Sequence, residues 1–275
     1  MKEYLFEKEI RLFGIKRSGN SAIVSFILGH YGSDEVVHLH NTDFSFRQRN
    51  RRSSPSAFYN MLEKIGIDKI RCYLNTSEHN YPESSHFRVI SEKMMDRNYS
   101  YNMDKDWYNW HYGFGKKKFS EKTYNIVLIR SPHNNLASLL KILQMGRGFQ
   151  KHLFFNFAED WLMYAREVLG ETNYFEKKIV CNFDEWFSSE DYRKEISSKL
   201  GLEYSNKGIH NVIRAVGSSF DGMRFAKEAQ KMKVLDRWKY FKDDEGYLEV
   251  LNNDEIIDKT EKLFGVNLKE ICFDK

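Results

Sequence analysis

Hydrophobic positions in this chain come as short, nearly continuous runs that alternate with longer stretches of helical spacing. Residues 10–15 (IRLFGI) and 125–129 (NIVLI) read as strands buried on both faces. Residues 35–40 (EVVHLH), 87–91 and 178–181 read as further short strands. Between them, residues 21–31, 56–65 (entered at Pro55), 157–169 (carrying Trp161, Tyr164 and Val168), 189–200 (stopped by Gly201) and 254–264 carry helical patterns. Pro132 opens another helix, with Leu136, Leu139, Leu140 and Leu143 as its apolar stripe. Residues 42–54 read as an exposed loop. Residues 98–118, rich in Tyr, Trp, Asn and Gly without a period, read as a long loop or lid. With three prolines, no repeat and no low-complexity linker, the chain is expected to form one domain over residues 1–275. Alternation of strand and helix predicts an α/β fold, a three-layer sandwich with a central, mainly parallel sheet. Ligands in such sheets bind outside the carboxyl ends of the strands, where the residues after 15, after 40, near 92 and at 130 would gather.

The first strand runs into Gly14-Ile15-Lys16-Arg17-Ser18-Gly19-Asn20-Ser21, and an apolar helix follows. Strand, glycine loop and helix N-terminus together form a phosphate cradle, because unpaired N–H groups and the helix dipole both favour an anion. The spacing matches the nucleotide-binding P-loop, G-x-x-x-x-G-K-[ST], except that Asn20 stands at the lysine position. Without that charge a triphosphate loses its main counter-ion. The cation has moved upstream, to Lys16 and Arg17. Lys16, Arg17, Ser18, Gly19, Asn20 and Ser21 are therefore the candidate phosphate-binding residues, with no metal expected.

Basic residue, Ser, Gly and two small polar residues in this order resemble the 5′-phosphosulfate loop of sulfotransferases that use 3′-phosphoadenosine-5′-phosphosulfate (PAPS). Three further features extend the resemblance over most of the chain. Arg130, Pro132 and Ser138 fall on the pattern R-[ND]-P-x-x-x-x-x-S, which in that family reads the cofactor's 3′-phosphate; Ser131 replaces the usual Asn or Asp. A guanidinium grips phosphate bidentately, and a hydroxyl further along the helix adds a donor. The stretch 217–222 (GSSFDG) resembles a segment of a bacterial branch that also carries RSGN in its first loop. Arg237-Trp238-Lys239 is similar to the late basic loop that closes over adenosine. The resemblance thus implies PAPS, or its product PAP (adenosine 3′,5′-bisphosphate), as ligand of Arg130, Ser138, Ser219, Phe220, Arg237 and Trp238. Ala22 replaces the tryptophan that often stacks on adenine, which leaves Phe220 or Trp238 for that task.

Sulfuryl transfer needs in-line geometry and charge stabilisation at the leaving oxygen, which the resemblance assigns to Arg17. It also needs a base. The family's cytosolic members use a His beyond the strand before the 3′-phosphate motif; here that region reads Val89-Ile90-Ser91-Glu92-Lys93. Glu92 is the expected base, with His40 as the second candidate. The non-enzymatic alternative is a PAP- or nucleotide-binding protein lacking a working base, and the other enzymatic alternative is a P-loop kinase or NTPase.

Composition narrows the class only slightly. Hydrophobic residues at 41% and aromatics at 15% suffice for a core. A net charge of +4, with 30% charged residues, excludes bulk polyanion binding, so no nucleic-acid partner is expected. The arginines at 47, 49, 51 and 52 and the lysines at 116–118 read as solvated loops. Cys72, Cys181 and Cys272 form neither a paired metal motif nor a disulfide framework. The first fifteen residues are broken by charges, and no apolar run reaches membrane-spanning length, so a cytoplasmic protein without an integral membrane segment is expected. The acceptor is expected to be a small molecule or glycan, which the aromatic stretch 99–114 could stack upon.

Overall fold

The computed structural model describes residues 4–31, 36–39, 88–93, 118–145, 151–210, 218, 220–222, 224–225 and 227–273. Among these, five strands form one open parallel sheet: β1 (Tyr4–Gly14), β2 (Val36–Leu39), β3 (Arg88–Lys93), β4 (Lys118–Ile129) and β5 (Ile179–Asn182), in the order β2-β3-β1-β4-β5. All four pairings are parallel. Helices α1 (Asn20–Leu28), α2 (Pro132–Met145), α3 (Lys151–Val168), α4 (Phe183–Ser188), α5 (Glu190–Lys199), α6 (Glu245–Leu251), α7 (Asp254–Phe264) and α8 (Leu268–Cys272) complete a mixed α/β fold.

Alternation along the strands explains where the core lies. Phe13 and Ile15 of β1 and its exit, with Val127 and Ile129 of β4, join one apolar cluster with α2, α3 and the C-terminal helices. Ile10 and Leu12, with Ile126 and Leu128, join another with α1, α4 and α5. Period-two alternation sends successive side chains to opposite faces, so two strands feed two cores. The central strands β1 and β4 run longer than their apolar patterns, starting at Tyr4 and Lys118, because parallel pairing continues where the sequence is polar. Lys118, expected in a loop, therefore begins β4.

Most other boundaries fall within a few residues of expectation and the helix at 254–264 matches it, but α3 begins at Lys151, six residues before the expected start at 157. The short helices α4, α6 and α8 have no long period to announce them. Each starts at a side-chain cap instead: Asn182, Asp244 and Asn267 accept first-turn N–H groups. The helix expected at 56–65 and the lid expected at 98–118 lie outside the described residues, apart from Lys118. No described helix is long and apolar enough to cross a membrane.

The link from α3 into β5 is pinned by one buried carboxylate. Glu167 pairs with Lys178 at 2.6 Å and accepts from Thr172 Oγ1 at 2.7 Å and from the Tyr174 and Phe175 amides at 2.9 and 3.4 Å. Truncation would leave a cation and two amides unpaired in a dry setting. Glu167→Ala should therefore cost about 3 kcal/mol, read as a lower denaturant midpoint at unchanged slope.

Candidate anion-binding site

The site is built at the carboxyl ends of β1 and β4. Their register sets Gly14 beside Leu128, so the loop after β1 and Arg130 after β4 emerge together. Arg130 Nη1 donates to the Arg17 carbonyl at 3.1 Å. The two strongest sequence motifs are thus in direct contact.

Within the loop, every carbonyl from residue 14 to residue 17 is tied back by a donor. Asn20 Nδ2 lies 3.1 Å from the Gly14 carbonyl and 3.4 Å from that of Ile15. Ser18 donates its amide to the Ile15 carbonyl at 3.2 Å, and its hydroxyl lies 2.8 Å from the same oxygen. Asn135 Nδ2 reaches the Lys16 carbonyl at 3.2 Å, and Arg130 holds that of Arg17. Gly19 then caps α1 in a left-handed conformation (φ 106°) with no side-chain cap, and its carbonyl takes the Ala22 and Ile23 amides at 2.9 and 3.1 Å, which leaves the N–H groups ahead of them at the helix N-terminus. With these carbonyls withdrawn and a helix N-terminus behind them, the loop suits an anion and repels a cation.

Two glycines are required. A Cβ on Gly14 would stand 2.1 Å from Asn20 Oδ1, and one on Gly19 would stand 2.2 Å from the Phe183 ring. Arg17 has the sole positive φ of a non-glycine residue among those described, 67°. Such a conformation costs on the order of 1 kcal/mol and persists only when its surroundings hold it.

Three guanidiniums converge here. Arg130, 1% exposed, donates to Ser138 Oγ at 3.3 Å and to the Val234 carbonyl, and its Nε stands 3.9 Å from Asp184 Oδ1. Arg237 donates to Ser138 Oγ at 2.9 Å and Ser218 Oγ at 2.8 Å, 3.8 Å from Asp221. Ser138 therefore bridges two arginines while donating to the Asn134 carbonyl at 2.9 Å. Burial pushes Arg130 down to about 10, with Asp184 opposing and Arg17 assisting. Burial pushes Arg237 down to about 9, assisted by Arg130 and Arg17. Burial lowers Arg17 also. All three stay charged at neutral pH. The Nε atoms of Arg17, Arg130 and Arg237 are each buried without a hydrogen-bond acceptor. Clustered, partly unsatisfied cations of this kind are relieved by a bound anion.

Of the expected site residues, Arg17, Ser18, Gly19, Asn20, Arg130, Ser138 and Arg237 come together. Lys16 and Ser21 are exposed at the loop's rim. Asn20 and Ser18 serve the loop itself through their side chains, Ser18 Oγ lying 2.9 Å from Asn20 Oδ1. Phe220 packs on Tyr240 at 4.8 Å and lies 5.2 Å beneath the Arg237 guanidinium. Trp238 is half-buried against the first core cluster, with its amide 3.4 Å from Asn134 Oδ1. Glu92 lies on β3 level with Leu12 of β1, next to the strand's carboxyl end. His40 and Ser219 fall outside the described residues. Among the described residues, no group of three or more His, Cys, Asp or Glu is placed to hold a metal.

Phe183, Asp184, Asn134 and Asn135 join the site without any motif that marks them. Phe183 covers Gly19 and lies 5.1 Å from the Arg130 guanidinium. Burial raises the Asp184 carboxyl, outweighing the pull of Arg130. Asn134 Oδ1 accepts the Arg237 amide at 2.9 Å, fixing the late basic segment on α2. No local period marks any of these. The one available signal was three polar residues, His133 to Asn135, opening a helix whose first nine residues are all buried.

No protein-family model matches this chain, and no curated protein matches it.

His133 predicts an acid limb. Burial, then Arg130, push its ring from 6.5 down to about 3. Between those values the unfolded chain takes up a proton that the folded protein refuses. Stability is intact above pH 6.5 and falls as pH drops towards 3, by about 1.4 kcal/mol per unit from this group. His133→Gln should flatten the stability profile over that window, as read by urea unfolding at stepped pH.

Proposed function

We propose that this protein is a PAPS-dependent sulfotransferase of the P-loop, three-layer α/β type, moving a sulfuryl group to a hydroxyl or amine of a small molecule or glycan. The observation that carries this reading is the convergence of Arg17, Arg130 and Arg237, each with an unsatisfied buried Nε, on a loop whose carbonyls are tied back. Two phosphate-bearing ends of one ligand would answer two neighbouring sources of positive charge. Core clusters on both faces of the parallel sheet support the layered arrangement.

The orphaned Nε atoms fit such a ligand. In this reading the amides at the start of α1 and Arg17 hold the 5′ end, while Arg130, Ser138 and Arg237 hold the 3′-phosphate. Phe220 or Trp238 supplies the platform for adenine. The donor brings an activated sulfuryl group, which moves to the acceptor atom while PAP leaves. Glu92 takes the acceptor's proton, with His40 as the second candidate. Arg17 stabilises the charge that develops on the leaving oxygen. The Asn20 brace favours this reading over a kinase or NTPase, since it fills the place of the phosphate-binding lysine with a loop support.

PAP should raise the melting temperature by several degrees without magnesium, and ATP with magnesium should not; the opposite pattern removes the reading. Arg130→Lys keeps the charge but loses the fork, and should weaken PAP binding about tenfold or more in calorimetry. With an identified acceptor, Glu92→Gln should lower kcat by about 100-fold or more while leaving PAP affinity unchanged.

A further inference from the structure

We propose that Asn135 is a positioning residue that holds the basic turn Lys16–Arg17 in the shape needed to receive the 5′ end of the ligand. This rests on the sulfotransferase reading. Asn135 sits one turn into α2, fully buried, at a position that the Arg130–Ser138 pattern leaves unspecified. Its Nδ2 donates to the Lys16 carbonyl at 3.2 Å, across 119 residues of sequence.

Three observations say that this bond does more than fill space. First, it acts on the residue before Arg17, the one non-glycine residue with a left-handed backbone among those described. A strained turn relaxes unless bonds on both sides hold it, and here Asn135 holds the carbonyl before Arg17 while Arg130 holds the carbonyl of Arg17 itself. Second, Asn135 Oδ1 is buried with no hydrogen-bond partner. A buried amide with an unpaired acceptor is costly, and an apolar residue would serve simple packing better. Third, the Lys16 carbonyl would otherwise sit unpaired at the mouth of an anion site, where its dipole repels the ligand. By tying it down, Asn135 leaves the amides of the loop as the groups a ligand meets.

The Asn135 side chain bonds the loop and not the Arg130–Ser138–Arg237 cluster, so its effect should be confined to the 5′ end. The test compares PAP with adenosine 3′-monophosphate, which lacks the 5′-phosphate, by titration calorimetry on wild type, Asn135→Leu and Asn135→Ala. Asn135→Leu keeps the volume and Asn135→Ala removes the side chain, and both lose the donor without adding charge. PAP affinity should fall about tenfold in either variant, while adenosine 3′-monophosphate changes less than about twofold. Equal losses for both ligands, or none for PAP, would overturn the proposal. If wild type binds neither ligand, the sulfotransferase reading fails by itself. Amide exchange of Ser18, whose N–H bonds the Ile15 carbonyl at 3.2 Å, still decides the positioning role. Protection at Ser18 should drop by about tenfold in both variants, and unchanged protection would refute it.

Discussion

The direction of four backbone carbonyls decides what the loop after β1 can bind. A peptide group presents either a donor or an acceptor to a ligand, and a tight loop cannot leave the choice to chance. Here the carbonyls of Gly14, Ile15, Lys16 and Arg17 each meet an internal donor, from Asn20, Ser18, Asn135 and Arg130. The donors come from three places in the chain: the loop, the end of β4 and the first turn of α2. The parallel register that sets Gly14 beside Leu128 brings them together. Sheet topology therefore reaches the electrostatics of the site through hydrogen bonds internal to the protein.

Burying three guanidiniums at one sheet edge opposes folding, and the surrounding structure shows how that cost is met. Ser138 accepts from Arg130 and Arg237 together, and Asp184 and Asp221 stand near one arginine each. Neither carboxylate forms a close pair, so the positive charge is moderated and not cancelled. Helices α3 and α6 hold the same arrangement from outside. Tyr247 Oη donates to the His133 carbonyl at 2.6 Å, and Trp161 Nε1 donates to the Arg130 carbonyl at 2.8 Å. These bonds lock the backbone on either side of Pro132, so the arginine leaves a fixed point.

Much of this was legible in the sequence because it is local. The strands show as apolar runs, the loop as two glycines at a fixed interval, and Arg130 and Ser138 as residues eight apart at a strand-to-helix turn. The helix 254–264 shows as a helical pattern over the residues that form it. What was not legible acts through tertiary contact alone. Asn134 and Asn135 sit where a helical pattern expects polar, solvent-facing residues, yet both are buried because the late basic segment and the first loop close over them. Phe183 and Asp184 follow a short strand with no period of their own, and matter because β5 lies beside β4. Spacing cannot report such contacts, since each joins segments about fifty to one hundred and twenty residues apart in the chain.

Asn20 changes meaning in the folded protein. From the sequence it is a missing lysine. In the structure its amide uses both ends: Nδ2 donates to the Gly14 carbonyl, and Oδ1 lies within reach of the Ser18 hydroxyl. A lysine has donors and no acceptor, so it could serve the carbonyl but not the hydroxyl. Gly14 completes the match, because any side chain there would collide with Oδ1. The first glycine of the pattern thus makes room for a brace. Once the twentieth residue is committed to the loop, any anion bound there would draw its positive charge from elsewhere, and Arg17, Arg130 and Arg237 are the cations the fold delivers to that edge.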